Sequence, residues 1–244
     1  MLKGKIAFVT GGSGAIGQSI VRTLARENCR VIYSYKENSE KAHALDLELR
    51  NQGKEVWSFQ LDVLDGPACA KLSQQIENGI GPVDILVNNA GIAQVMPFAM
   101  IEEKDWDSIM DTNVKGMFLV TKAFVRGMIR RKRGNIINIG SLAGMRMLEV
   151  PVHYATAKSA VSGFTMSLAR ELGRYNIRVN AAVPGMLEGG VSCNIPEKQY
   201  QQYISYCALS RPGKCDEVAE LVAFLASDRS SYMTAQSILI DGGI

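Results

Sequence analysis

The segment Lys5-Ile-Ala-Phe-Val-Thr10-Gly11-Gly-Ser-Gly-Ala-Ile-Gly17 decides the fold of this chain. Its first six residues form an apolar run that predicts a buried strand, and residues 18–28 carry apolar side chains at helical spacing. Gly12, Gly14 and Gly17 satisfy the pattern G-x-G-x-x-G between that strand and that helix. Glycines let the backbone approach a pyrophosphate, and the helix N-terminus presents free N–H groups to it. The segment therefore predicts a dinucleotide-binding site.

The same alternation of strand and helix continues along the chain. Apolar runs predict further strands at residues 30–34, 56–61, 83–87, 135–139, 177–183 and 237–240. Helical patterns lie between them at residues 39–52, 66–78, 104–133, 154–175 and 217–226. Repeated strand–helix units predict an α/β protein, with a single Rossmann-type, doubly wound parallel sheet and helices on both faces. We expect one domain over residues 1–244, with ligands bound outside the carboxyl ends of the strands.

A second feature lies near the middle of the chain, where Tyr154 is followed four residues later by Lys158. On a helix these two side chains share one face. A nearby ammonium favours the phenolate, so we expect Lys158 to lower the Tyr154 pKa toward neutrality and make it a general acid or base. Ser141 follows the strand at 135–139 and could hydrogen-bond a substrate oxygen.

Composition limits the classes of function. Hydrophobic residues make up 47% of the 244 residues and charged residues 21%, which is typical of a globular enzyme. No apolar stretch approaches the roughly 18 residues of a membrane span, and we expect no signal peptide before Lys5. The five cysteines form no metal-ligand or disulfide pattern, which favours the cytoplasm and no metal site. A net charge of +3 does not indicate nucleic acid as a partner.

Five motifs in order resemble the short-chain dehydrogenase/reductases. They are Thr10-Gly-Gly-Ser-Gly-Ala-Ile-Gly17, Asn88-Asn-Ala-Gly91, Asn113, the set Ser141, Tyr154 and Lys158, and Pro184-Gly185. Ala15 stands where the family's loop usually has a glycine, and Gly189 stands where a threonine commonly contacts the nicotinamide carboxamide. The resemblance covers nearly the whole chain, and it is strongest to the 3-oxoacyl-[acyl-carrier-protein] reductases.

The resemblance implies a catalytic tetrad and a cofactor site. Asn113, Ser141, Tyr154 and Lys158 would be catalytic, with Asn113 holding a water that links Lys158 to solvent. The cofactor would contact Gly11, Ser13, Gly14, Ala15, Ile16, Gly17, Ser34, Tyr35, Lys36, Asp62, Val63, Asn89, Ala90, Gly91, Tyr154, Lys158, Pro184 and Gly185. A homotetramer is also implied, in which the helices from Lys104 and Tyr154 pack against their symmetry mates.

The end of the second strand favours NADP as the cofactor. An acidic residue at this position would bind the adenosine ribose and favour NAD, but the strand ends in Ser34, followed by Tyr35 and Lys36. Lys36 could attract a 2′-phosphate, with Ser34 donating to it. Glu37 is the one rival acid, and we expect it to lie beyond the turn.

The expected activity is NADPH-dependent reduction of a 3-oxoacyl thioester, with Tyr154 as the general acid. The basic cluster Arg130-Arg-Lys-Arg133 could steer an acidic acyl carrier protein to the active-site mouth, or could only complement a helix dipole. Residues 186–209 are either a mobile lid over the substrate or a surface helix. A reductase of free ketones, sugars or quinones, and a nucleotide-sensing protein without turnover, are alternatives.

Overall fold

The computed structural model describes residues 2–189 and 197–244. Seven parallel strands form one sheet in the order β3-β2-β1-β4-β5-β6-β7. The strands are β1 (Ile6–Val9), β2 (Arg30–Tyr35), β3 (Val56–Gln60), β4 (Ile85–Asn88), β5 (Gly134–Ile139), β6 (Ile177–Pro184) and β7 (Ser237–Ile240). The expectation of a doubly wound parallel sheet is confirmed. The strand order reverses beside β1, so a crevice opens there at the carboxyl ends.

Eight α-helices accompany the sheet in the described part of the chain. They are α1 (Ala15–Arg26), α2 (Ser39–Asn51), α3 (Gly66–Gly79), α4 (Glu103–Met110), α5 (Gly116–Arg131), α6 (Val152–Leu172), α7 (Glu197–Tyr206) and α8 (Cys215–Ala226). The pattern predicted over residues 104–133 is two helices, joined by a π-helical turn at Asp111–Lys115. Helix α1 begins three residues earlier than predicted and α6 two residues earlier. Residues 190–196 of the predicted lid lie outside the described residues.

Alternate residues of each central strand face two hydrophobic cores. Ala7 and Val9 of β1 pack with α1, α2 and α8 on one side of the sheet. Ile6 and Phe8 pack with α3, α5 and α6 on the other side, where Phe8 stacks on Phe124 at 4.5 Å between ring centroids. Because both faces are covered, the strands are apolar throughout, as the sequence runs indicated.

A buried polar ladder fastens β4 and β5 to α5 and α6. The Asn88 amide donates to Thr121 Oγ1 at 2.9 Å and to Asn138 Oδ1 at 2.8 Å. Asn138 donates in turn to Thr165 Oγ1 at 2.9 Å. All four side chains are buried, so each bond is made in a low-dielectric interior where an unpaired group is costly. The ladder fixes α6, which carries Tyr154 and Lys158, and α5, which follows the turn that contains Asn113.

The basic cluster at residues 130–133 lies at the edge of the sheet opposite the crevice. Arg131 donates to the Val83 carbonyl at 2.6 Å and Arg133 pairs with Asp84 at 3.5 Å, both just before β4 begins. A helix that leads into a parallel strand ends beside that strand's amino end. Of the two alternatives for the cluster, a position beside its own subunit's active-site mouth is therefore wrong.

We expect Asn138→Leu to lower the free energy of unfolding by about 1–3 kcal/mol, because the Asn88 amide loses its acceptor and Thr165 loses a donor. Urea unfolding followed by circular dichroism measures this change. The control is Thr156→Val, which removes an exposed hydroxyl that bonds only the Val152 carbonyl within α6. Equal, small effects of the two variants would show that the ladder does not stabilise the fold.

Candidate active site

The glycine loop between β1 and α1 is shaped for close approach of a ligand. Gly11 has a φ of +64°, which L side chains rarely adopt, and the Gly12 amide donates to the Ser34 carbonyl at 2.7 Å. A Cβ on Gly12 would collide with the Tyr33 ring, and one on Gly17 would lie 2.8 Å from Gly12 Cα. Gly12 and Gly17 are therefore required by packing, and Gly11 by its backbone conformation.

The N-terminus of α1 points its unsatisfied amides at this loop. Gly14 is the N-cap, its position has no side-chain cap, and the first turn carries no acidic residue. The first amides of a 12-residue helix and the positive end of its dipole are thus left for an anion. This cradle fits the pyrophosphate of a dinucleotide.

Thr10 and Asn89 lock the glycine loop to the segment after β4. Thr10 Oγ1 accepts from the amides of Asn89 and Ala90 at 3.0 and 2.9 Å. The Asn89 side chain donates to the carbonyls of Thr10 and Gly11 at 2.9 and 3.1 Å. Two motifs about 80 residues apart in sequence are thereby held as one wall.

Ser141, Tyr154 and Lys158 meet at the carboxyl end of β5. Ser141 lies two residues after the end of β5, and its Oγ accepts from the Ala143 amide at 3.2 Å. Tyr154 is the third residue of α6 and hydrogen-bonds Ser141. Lys158, one turn later, donates from Nζ to the Ile139 carbonyl at 3.1 Å, and its Nζ lies 5.8 Å from the centroid of the Tyr154 ring.

The titration of this group differs from the sequence expectation. Burial lowers the pKa of Lys158 to about 8. Burial also raises the pKa of Tyr154, an effect that its hydrogen bond with Ser141 opposes. The prediction that Lys158 draws the Tyr154 pKa toward neutrality is therefore wrong in this structure. The physical reason is that desolvation disfavours both charged forms and the ammonium bonds a carbonyl instead of the phenol oxygen.

Asn113 lies in the π-helical turn between α4 and α5, a distortion often found at functional sites. Its amide donates to the carbonyls of Ile92 and Ile109, each at 2.9 Å. Its Oδ1 is buried and has no partner among the residues that the structure describes. A Cβ on Gly91 would contact both this oxygen and Lys158 Nζ, so the two groups flank the same glycine.

The adenosine end of the crevice carries an ion pair. Lys36 Nζ lies 2.9 Å from Asp62 Oδ2. The Leu64 amide and Lys36 together hold the pKa of Asp62 below its usual range, and the pair raises the pKa of Lys36. Ser34 is 1% exposed, so its hydroxyl is far less accessible than the Lys36 ammonium. Glu37 also lines the crevice, although the sequence suggested that it lies beyond the turn.

One cavity of about 1250 Å³ contains all of these features, and every predicted catalytic and cofactor residue lines it. Pro184 and Gly185 line it from the end of β6, where Tyr203 of α7 accepts from the Met186 amide at 2.9 Å. Gly189 has a φ of +77°, a conformation in which a threonine would be strained. No group of three His, Cys, Asp or Glu side chains suited to a metal ion occurs in the described residues, 2–189 and 197–244.

Sequence reasoning missed several residues of the cavity, among them Gln94 and Met147. Gln94 and Met147 belong to loops after β4 and β5, and no motif marks their side chains. The position of these loops after strands was the only available signal, because the carboxyl ends of parallel strands converge.

The family model for the short chain dehydrogenases matches residues 5–200. The chain belongs to the short-chain dehydrogenase/reductase family. It is 37% identical to the 3-oxoacyl-[acyl-carrier-protein] reductase FabG of Thermotoga maritima over 243 residues, covering 100% of this chain and 98% of that protein. The reductase of the same name from Aquifex aeolicus is 36% identical over 244 residues, 100% of this chain and 98% of that protein.

Solved structures agree with this assignment. A mutant of a Serratia marcescens short-chain dehydrogenase/reductase superposes with a TM-score of 0.93 at 34% identity, over 99% of this chain and 98% of that chain. The protein is therefore an oxidoreductase that acts on CH–OH and C=O groups. None of the helices in the described segments is long and apolar enough to span a bilayer.

The burial of Lys158 gives a pH dependence that can be measured on the ligand-free protein. A folded-state pKa near 8 and an unfolded value near 10.4 mean that the unfolded chain binds more protons between these pH values. The stability of the wild type should therefore rise, relative to Lys158→Met, by up to about 3 kcal/mol from pH 7 to pH 10.5. Denaturant titrations at both pH values test this; the exposed Lys41→Met is the control, and the same pH dependence in both variants contradicts the prediction.

Proposed function

We propose that this protein is an NADPH-dependent reductase of 3-oxoacyl thioesters carried on an acyl carrier protein. The observation that supports the proposal is the meeting of a phosphate cradle with Ser141, Tyr154 and Lys158 in one cavity. The names of the relatives, 3-oxoacyl-[acyl-carrier-protein] reductases matched over the full chain, supply the substrate class.

A nicotinamide cofactor held by the glycine loop and by the Asn89–Gly91 segment would supply a hydride to the carbonyl carbon. Tyr154 then donates its phenolic proton to the carbonyl oxygen, because it is the neutral acid of the group. Ser141 bonds the same oxygen as negative charge develops there. Lys158 is still mostly protonated at pH 7, and its ammonium stabilises the phenolate that donation leaves behind.

Asn113 would supply the route by which the proton is replaced. Its buried Oδ1 and the Lys158 ammonium flank Gly91 and are both polar, which suits a bridging water. A proton could then pass from solvent to Lys158 and on to Tyr154. A protein that only senses nucleotides would gain nothing from the cost of burying this lysine.

The mouth of the cavity favours an apolar substrate over a sugar. Val95, Met147 and Tyr206 line it and are 52%, 102% and 70% exposed. Exposed apolar side chains around a catalytic cavity suit an acyl chain. A polar sugar has no apolar groups to pack against these side chains.

Tyr154→Phe should lower kcat by at least about 10³-fold and leave cofactor affinity unchanged, because it removes the proton donor and almost no volume. Ser141→Ala should lower kcat by about 10²-fold. Both are measured by the oxidation of NADPH with an acetoacetyl thioester, and cofactor binding is followed by nicotinamide fluorescence. A Tyr154→Phe enzyme with near-normal kcat would refute this mechanism.

The preference for NADP rests on the cation at the end of β2. Lys36 is 61% exposed at the rim of the cavity, so a 2′-phosphate could replace Asp62 as its partner. No carboxylate occupies the strand end itself, and Asp62 and Glu37 are the carboxylates among the residues that line this end of the cavity. The phosphate is the better match for an exposed ammonium.

The double variant Ser34→Asp, Lys36→Ala should reverse the order of the two cofactors, because it replaces a cation with a carboxylate at the strand end. The ratio of kcat/KM for NADPH to that for NADH should fall from well above one to below one. Lys41→Ala is the control, since this exposed lysine of α2 does not line the cavity. Equal kcat/KM values of the wild type for both cofactors would rule out the assignment.

We also propose a homotetramer, in which α4 and α5 pack against their symmetry mates, as does α6. The α4 end of this pair is acidic, with Glu102, Glu103, Asp107 and Asp111, and the far end of α5 is basic, with Arg126 and Arg130. A two-fold axis aligns the helices antiparallel, so the acidic end of one copy meets the basic end of the other. Phe118, 45% exposed on α5, would be covered.

The same packing would bring the basic cluster of one copy beside the neighbour's cavity, since Asp107 and Asp111 line that cavity. Arg130 and Arg133 are paired with Glu77 and Asp84 in their own subunit, whereas Lys132 has no acidic partner among the described residues. An acidic carrier protein could therefore dock across two subunits.

Reversing Lys132 and Arg133 to Glu should raise KM for a 3-oxoacyl carrier protein and leave KM for a small acetoacetyl thioester unchanged, because only the carrier presents acidic charge. Kinetics are measured together with the oligomeric state by light scattering. The control reverses the exposed Lys41 and Lys71, which makes the same change of net charge. Equal loss with both substrates, or loss of the tetramer, would contradict docking at this cluster.

The compartment proposed for this chemistry is the cytoplasm. The structure gives Cys29, Cys69, Cys207 and Cys215 as free thiols. Burial raises the pKa of Cys29 to about 12 and of Cys69 to about 11, so these thiols are poor nucleophiles. Unpaired cysteines of this kind suit a reducing environment.

A further inference from the structure

A chain of three side chains joins the cavity wall to the catalytic helix. His153 Nε2 lies 3.1 Å from Gln94 Oε1, and Gln94 Nε2 donates to Asp105 Oδ1 at 2.9 Å. Asp105 is fixed in turn, because its Oδ2 accepts from the Glu102 amide at the N-cap of α4. The chain therefore spans the loop after β4, the start of α4 and the start of α6.

Asp105 determines which atoms donate and which accept along this series of hydrogen-bonded side chains. Two hydrogen bonds hold the pKa of Asp105 below its usual range, so its carboxylate is an acceptor only. The nitrogen of the Gln94 amide must face Asp105, which leaves its oxygen facing His153. His153 must then donate from Nε2. Its Nδ1 is buried and has no hydrogen-bond partner among the described residues, which favours the neutral tautomer with a bare Nδ1. Burial, which lowers the pKa of His153, favours the same neutral form.

This arrangement leaves one donor of Gln94 unused. A glutamine amide has two N–H groups, and only one of them donates to Asp105. Gln94 has no other acceptor among the described residues, and it lines the cavity together with Ser141 and Tyr154. His153 is completely buried and directly precedes Tyr154. Its hydrogen bond to Gln94 therefore fixes the position of the Gln94 amide relative to α6.

We propose that Gln94 is a specificity-determining residue whose second amide N–H donates to the other carbonyl oxygen of a 1,3-dicarbonyl substrate. This inference rests on the proposed function and deepens it. A 3-oxoacyl thioester has a ketone oxygen for Tyr154 and Ser141 and a thioester oxygen that needs its own donor. A simple ketone has no such second oxygen and would leave the Gln94 N–H unpaired. His153 and Asp105 are positioning residues that hold the amide in this orientation.

The first test compares ethyl acetoacetate with 4-ethoxybutan-2-one, which differ only in the second carbonyl group. Wild-type enzyme should favour the dicarbonyl compound in kcat/KM. Gln94→Met should lower kcat/KM for ethyl acetoacetate by about tenfold and change that for the monoketone by less than about twofold, the loss expected for one hydrogen bond. Exposed Gln52→Met is the control, and nicotinamide fluorescence checks that both variants bind the cofactor.

Equal losses for the two substrates would overturn the inference and leave the proposed function standing. Failure of the wild type to reduce either substrate, or an acetoacetyl thioester, would overturn the proposed function together with it. A second test needs no turnover. Nitrogen-15 NMR of the imidazole should find His153 protonated at Nε2 alone, and Gln94→Met should remove that bias. A wild-type His153 protonated at Nδ1 would refute the proton arrangement.

Discussion

The hydrogen bond from the Lys158 ammonium to the Ile139 carbonyl is the interaction on which the active site depends. It joins the first turns of α6 to the carboxyl end of β5, and it places an ammonium in a site where burial lowers its pKa to about 8. Ser141 comes two residues after Ile139, and Tyr154 lies one turn before Lys158. The contact therefore sets the spacing of all three side chains. Without it, the burial of this charge would be far more costly.

The parallel sheet explains why this one hydrogen bond is enough to position the three side chains beside the glycine loop. Because every strand points the same way, the segments after β1, β2, β4, β5 and β6 open into one crevice. The polar ladder through Asn88 and Asn138 holds the two strands nearest the chemistry against α5 and α6. Thr10 and Asn89 hold the glycine loop against the same wall. Rigid elements thus carry the glycine loop and Tyr154, as preorganised catalysis would require.

Sequence patterns predicted most of this architecture for a clear physical reason. Buried parallel strands are continuous apolar runs, and a glycine loop between strand and helix is readable from residues 5–17 alone. Ser141 and Tyr154 could be paired because one follows a strand and the other begins the next helix. The direction of the Tyr154 pKa shift could not be predicted. It depends on burial and on the atom to which the Lys158 ammonium donates.

Long-range contacts account for what the sequence could not show. Gln94 and His153 are 59 residues apart, and Lys36 and Asp62 follow two different strands, β2 and β3. No local pattern therefore predicts either pair. Charge alone does not place the basic cluster at residues 130–133 relative to the cavity, because its position depends on the direction of α5. A helix that leads into a parallel strand ends at the edge away from the crevice.

We propose that NADPH held in the cavity would transfer a hydride to a ketone carbon while Tyr154 supplies the proton to its oxygen. The most direct measurement uses NADPH carrying two deuterium atoms at C4 of the nicotinamide, with an acetoacetyl thioester in ordinary water. Mass spectrometry of the product should find one deuterium, bound to carbon 3 of the 3-hydroxyacyl thioester. A product without deuterium at that carbon, or no product with active-site residues intact, would contradict the account.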